Sequence, residues 1–331
     1  MHMHIRLTAE DLTKIRFESS PLWEAAASIR ALQRQPAIHR PWIEATTSAL
    51  AASTEPHKSR HLDILTTLVR PRGYMADALT PTPSRQGTFA DSLADVAAVD
   101  HEVWRESLAY LRGHEPTPRI LATLDLLERD LPAGLEMIVE ALAWYWEIAL
   151  EPWWPRLRSL QLEDIDWRLA QISRNGMAEV LKSLHPSVVP TPDGLDIVRG
   201  CDATGHPDPG AGLILVPNAF IWPETLVLNV APFVPTLTYA PRGVGRLWES
   251  APSCPDAPLA KLLGRTRAQI LAQLDVPMTT TQLACALDLA PATVNTHLKV
   301  MSEGGLAESL RTGREVFYRR ADVGESLLAR R

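Results

Sequence analysis

Cysteine is scarce in this chain of 331 residues, with three in all, Cys201, Cys254 and Cys285. They are odd in number and far apart, which excludes a disulfide framework and fits a reducing compartment. Long apolar runs are missing too. Glu140 and Glu147 interrupt the stretch around Trp144, and Pro217 ends the run at 213–216, so nothing approaches the roughly 18 apolar residues of a membrane span. The opening MHMHIRLTAEDL has no apolar segment of the kind a secretory signal needs. A cytoplasmic location without a membrane partner is the expectation. Catalytic signatures are equally absent: there is no nucleophile elbow, P-loop, GxGxxG, HExxH or CxxC. Asp100, His101 and Glu102 have suitable chemistry, but neighbours on a helix point in different directions, and a surface charge cluster is expected there. No catalytic residue and no cofactor is assigned, and the chain reads as a non-enzyme.

Tryptophan is lacking from one part only. All ten lie at or before Trp248, and the last 74 residues contain none. Charge follows the same division. Residues 258–331 carry ten Lys/Arg and seven Asp/Glu, a net of +3, whereas residues 1–257 carry 23 and 32, a net of −9. An acidic, Trp-rich body is joined to a small, mildly basic tail, which raises the question of a polyanionic partner.

What is present in the body is mostly helical periodicity. Residues 1–185 form a mainly helical domain. Thr8 and Asp11 have capping-box spacing, with Asp in place of Glu or Gln. Ser20 followed by Pro21 predicts an N-cap and first helical residue opening PLWEAAASIRALQ. Further helices are predicted over 57–70, 89–112, 119–129, 132–150 and 153–184, with a strand at 5–7 and a loop at 71–87. Residues 186–258 hold 13 of the 27 prolines, between β-rich runs at 195–198, 213–216, 225–230 and 236–240. They predict a small antiparallel region over 186–257, packed on the helical domain. Residues 250–258 have linker composition. The fold class is mainly α with a small antiparallel β region, ending in a third domain at 258–331.

That last domain carries the strongest pattern. A short helix over 279–287, a turn at 288–290 and Pro291 introduce ATVNTHLKVMSEGG. There Val294, Leu298 and Met301 recur at i, i+4 and i+7 and are predicted to pack inward. Thr293, Asn295, Thr296 and Lys299 lie away from that stripe. They are short polar and cationic groups able to enter a groove and bond bases or phosphates. Gly304 and Gly305 stop the helix. LAESLRT and EVFYRRA then predict a two-stranded wing, with Arg311 and Arg314 flanking its tip.

Residues 262–320 resemble the winged helix-turn-helix of ArsR-family transcriptional regulators, through LLGRTRAQILAQL, TTTQLACALDLAPATVNTHLKVMSEGGLAES and RTGREVFYRRA. The body is similar to a longer subtype with an uncharacterised N-terminal domain, on IRLTAEDL, SPLWEAAASIRAL and LILVPNAFIWPE. The resemblance implies double-stranded DNA as partner, with Thr293, Asn295, Thr296, His297 and Lys299 on the recognition helix and Arg311 and Arg314 on the wing. It also implies repression, and a homodimer formed by helices at 258–274 and roughly 321–330 on an inverted-repeat operator.

Metal sensing, common in that family, is not expected. The motif's first helix offers Cys285 alone where metal-sensing relatives carry a cysteine pair, and the last helix has no histidine. His57 and His61 share a helix face but lack a specified third ligand, so a solvated helix start is the reading. Trp144, Trp146, Trp153, Trp154 and Trp167 cluster within 24 residues. They are either helical core and dimer interface or the lining of a site for an apolar small-molecule effector. The rival to a regulator is an enzyme or small-molecule-binding domain with an accessory winged helix.

Overall fold

The structure is a computed structural model that describes residues 2–83, 87–114, 116–198, 210–248, 257–274, 278–287, 289–312 and 315–329. The chain divides into two compact units, Met1–Trp248 and Glu249–Arg331. The segment 250–256, Cys201, Cys254 and Arg314 lie outside the described residues.

The first unit runs β1 (His2–Arg6), α1 (Ala9–Thr13), β2 (Arg16–Phe17), α2 (Pro21–Arg34), α3 (Arg40–Ala52), α4 (Lys58–Leu68), α5 (Phe89–Ala97) and α6 (His101–Gly113). It continues through α7 (Pro118–Arg129), α8 (Leu131–Ala149), α9 (Trp154–Asn175) and α10 (Met177–Lys182) into β3 (Val188–Thr191), β4 (Gly194–Val198), β5 (Ile214–Pro217), β6 (Leu226–Leu228) and β7 (Thr236–Tyr239). Helix starts follow the capping rules. The Thr8 side chain accepts from Asp11 N while Asp11 accepts from Thr8 N, completing the box. Ser20 accepts from Trp23 N ahead of Pro21. Two predicted helices are divided. Asp100 caps a new helix within 89–112, accepting from Glu102 N at 2.7 Å. Gly176, at φ 82, separates α9 from α10.

The helices surround a core that includes Trp23, Trp42, Trp104 and Tyr145. The fold class is as expected, mainly helical with small sheets, but strand directions differ from the antiparallel reading. β1, β4 and β3 form an antiparallel sheet in the order β1-β4-β3. The other sheet is mixed, in the order β2-β5-β7-β6, with β5 parallel to both β2 and β7. β6 turns back antiparallel to β7 on its far side, so β7 ends up running with β5. Both middle strands are buried along their whole length: β5 is a continuous apolar run, and in β7 the Thr236 and Thr238 hydroxyls donate to Val234 O and Leu226 O.

The second unit comprises α11 (Ala257–Leu263), α12 (Arg265–Gln273), β8 (Met278–Thr279), α13 (Thr280–Leu287), α14 (Pro291–Glu303), β9 (Ala307–Thr312), β10 (Glu315–Arg320) and α15 (Asp322–Ala329). Its separate core gathers Ile270, Leu271, Leu283, Val294, Leu298 and Met301. A three-stranded antiparallel sheet, β8-β10-β9, closes it. Among the described residues no helix is long and apolar enough to cross a membrane.

Candidate nucleic-acid interface

Helix α14 begins at Pro291, whose fixed φ suits a first helical position. Val294, Leu298 and Met301 are buried and anchor it to the core. With about 3.6 residues per turn, the rest of the surface is dictated by that stripe. Thr296 and Lys299 fall opposite it, Asn295 and Thr293 on its two flanks, and His297 beside it. Thr293, Asn295, Thr296 and Lys299 are exposed, and His297 is half-buried. The Thr296 hydroxyl donates back to Ala292 O at 2.9 Å, leaving oxygen lone pairs outward. Val300, 45% exposed, adds an apolar patch to the same surface.

The wing extends this surface. β9 and β10 pair from Thr312↔Glu315 to Ala307↔Arg320, which puts exposed Arg311 opposite Val316 near the tip. The arginines of β10, Arg319 and Arg320, make contacts within the unit. Arg319 pairs with Glu308 at 3.3 Å in solvent, a contact worth little. Arg320 donates through Nε to Leu271 O at 2.7 Å and through Nη2 to Ala272 O at 2.5 Å, closing the last turn of α12. Nothing in the sequence marks Arg320 for this role, because a carbonyl acceptor contributed by another element leaves no motif. β8 was missed for a similar reason: two residues, Met278 and Thr279, pair with Tyr318 and Phe317.

Of the five tryptophans singled out by spacing, Trp146 and Trp154 meet, and Trp144, Trp153 and Trp167 pack against other partners. Trp144 and Trp146 are buried. Trp144 donates to Ser53 Oγ at 3.2 Å and meets His61. Trp146 stacks on Phe89 at 4.1 Å and meets Trp154 edge-on. Trp153 meets Trp248, and Trp167 lies under the Arg242 guanidinium at 3.9 Å. His57 is exposed at the start of α4, as read, but His61 is not on a solvated surface. It is buried against Trp144, and that burial holds its pKa below the ordinary value. Among the described residues no group of three or more His, Cys, Asp or Glu is placed to hold a metal ion.

A family model described as a helix-turn-helix domain matches residues 262–309, from the end of α11 into β9. No curated protein and no solved structure matches the chain. Helices α12 to α14 are thus the matched helix-turn-helix, and β8, β9 and β10 add a wing to it. The C-terminal unit is a winged helix-turn-helix domain, which points to a DNA-binding regulator rather than an enzyme.

Proposed function

We propose that the protein is a DNA-binding transcriptional regulator of ArsR type that represses from an inverted-repeat operator as a homodimer. The observation that carries the reading is the division of α14, with Val294, Leu298 and Met301 buried and Thr293, Asn295, Thr296 and Lys299 exposed. In this reading α14 enters the major groove. Asn295, Thr293 and Thr296 meet base edges, Lys299 and His297 meet phosphates, and Arg311 and Arg314 bring the wing to the backbone or minor groove. Helices α11, α12 and α15 form the dimer contact. Leu262 is 70% and Val323 56% exposed on that set, as a partner-covered surface requires. Pairing sets two recognition helices about one DNA turn apart, roughly 34 Å. A non-metal signal received by the body acts by favouring one spacing of the two helices. The site of action is the cytoplasm.

Fluorescence anisotropy on a duplex selected from a random pool tests this. Asn295→Ala should cost about 1–3 kcal/mol and relax preference at one base, while Lys299→Ala and Arg311→Ala should each lower the salt slope by about 1. Unchanged affinity and slope in all three would exclude the docking of α14 and the wing.

A further inference from the structure

We infer that α14 selects thymine through methyl groups: Val300, with Thr296 one turn before it, contacts the C5-methyl groups of thymines in the major groove. The inference rests on the reading of α14 as the recognition helix and says which base that helix selects. Thr293, Thr296 and Val300 stand at i, i+3 and i+7, so they form one stripe along the exposed side of α14. Each is β-branched and carries a γ-methyl group. Val300 is 45% exposed and stands outside the core cluster that holds Val294, Leu298 and Met301. Packing in that core therefore does not account for it. Helix formation does not either, since alanine, lysine or glutamate serves better at an exposed helical position. A base edge laid against this face would cover it.

Hydrogen bonding narrows the choice of base pair. The Thr296 hydroxyl donates its one proton to Ala292 O at 2.9 Å. What it offers a base is an acceptor lone pair and a methyl group, and no donor. Guanine shows only acceptors in the major groove, which such a group cannot bond, and cytosine shows a donor at N4 but no methyl. An A·T pair shows both a donor, at adenine N6, and a methyl, on thymine C5. Val300 has no polar side-chain atom, so the thymine methyl is the one group on these edges that complements it. Thr296 and Val300 lie about 6 Å apart along the helix axis, at about 1.5 Å per residue. That rise is close to two base-pair steps of about 3.4 Å each. The two thymines are therefore expected about two steps apart within one half-site. Glu303, exposed three residues further on, is repelled by phosphates and bounds the stripe at Val300.

The test uses the full-length protein and a duplex enriched from a random pool, with each thymine of one half-site replaced in turn by deoxyuridine. That exchange removes the C5-methyl and leaves every base-pair hydrogen bond in place. Anisotropy titrations of the wild type should show binding weakened about three- to fivefold at two positions, the worth of one buried methyl each. Thr296→Ser deletes one γ-methyl and keeps the hydroxyl, and Val300→Ala deletes both γ-methyls. Each variant should abolish the deoxyuridine penalty at one of the two positions and keep it at the other, with Tm as in the wild type. A merely structural role would instead weaken the thymine and deoxyuridine duplexes by the same factor. The inference is overturned if an enriched duplex is bound but deoxyuridine costs the wild type nothing, or if both variants keep both penalties. The regulatory reading survives either result, since specific DNA binding is intact in both. Failure to enrich any duplex overturns that reading and this inference together.

Discussion

Glu24 is a carboxyl group buried inside α2, and its neighbours make it a hub of the first unit. Its Oε1 accepts from Ala219 N at 2.7 Å, and its Oε2 accepts from Gln161 Nε2 at 2.8 Å. Gln161 in turn accepts from the Ser19 hydroxyl. Glu24 therefore holds the short turn at Ala219–Ile221, whose Phe220 packs against Trp42 and Trp248. Burial outweighs these hydrogen bonds and pushes the Glu24 pKa up to about 8. His39 goes the other way. Burial pushes it down to about 4, and the Trp248 indole donates to its Nδ1 at 2.7 Å, which requires the neutral Nε2–H form. The pH dependence follows from these opposite shifts. Folded Glu24 keeps a proton that the unfolded chain releases near 4.5, so its contribution falls as pH rises from there to about 8. Unfolded His39 takes up a proton near 6.5 that the folded form refuses, so its contribution rises with pH from about 4 to 6.5. The two oppose each other below 6.5, and Glu24 acts alone above it. Wild-type stability should fall by roughly 2 kcal/mol between pH 6.5 and 8, and Glu24→Gln should remove that slope. Urea denaturation at the two pH values measures it. An equal slope in both proteins would mean that Glu24 is ionised in the fold.

At the scale of elements, α15 seats against the rest of the second unit through Gly324. A Cβ at this position would run into the Leu306 carbonyl and lie 3.0 Å from Leu271 Cδ1. Gly324→Ala is expected to destabilise the unit by about 1–3 kcal/mol, although alanine is the better helix former. A rise in Tm instead would show that α15 can move away without loss. Which elements could be read from sequence depends on whether their signals were local. The Thr8–Asp11 box, the Ser20–Pro21 start and the Val294–Leu298–Met301 stripe are local, and each appears where it was read. Helix α3 was not singled out, because Thr46 interrupts the buried stripe of Trp42, Ile43 and Leu50. The breaks at Gly176 and Gly264, both at φ 82, were available in the sequence but were outvoted by periodicity on either side. Strand direction was not legible, since an apolar run such as 213–216 has the same pattern in a parallel or antiparallel pair. The recognition face of α14 could be read because it is the complement of its own core stripe. Contacts between distant elements could not, such as the Glu24 carboxyl of α2 accepting from Ala219 N and from Gln161 of α9.

At the scale of the molecule, each unit closes its own core. The second unit's cluster is drawn from residues between Leu259 and Leu328, and the first unit's clusters from residues up to Trp248. Charge divides in the same way, with −9 on residues 1–257 and +3 on residues 258–331. A repulsive body leaves DNA contact to the small basic unit, and a charge of +3 is modest for a polyanion ligand, so paired copies would supply much of the affinity. Separate cores also predict separate melting. Scanning calorimetry of the full chain should resolve two transitions. Raising the pH from 6.5 to 8 should lower the transition of the first unit, which contains Glu24, and leave the other in place. Gly324→Ala should lower the second unit's transition alone, and an operator duplex should raise that same transition by mass action. A single transition that moves under all three perturbations would mean that the units fold as one cooperative body. In that case a ligand of the first unit could bias the recognition helices through shared stability alone, whereas two independent transitions require that any such signal pass through the geometry of the dimer.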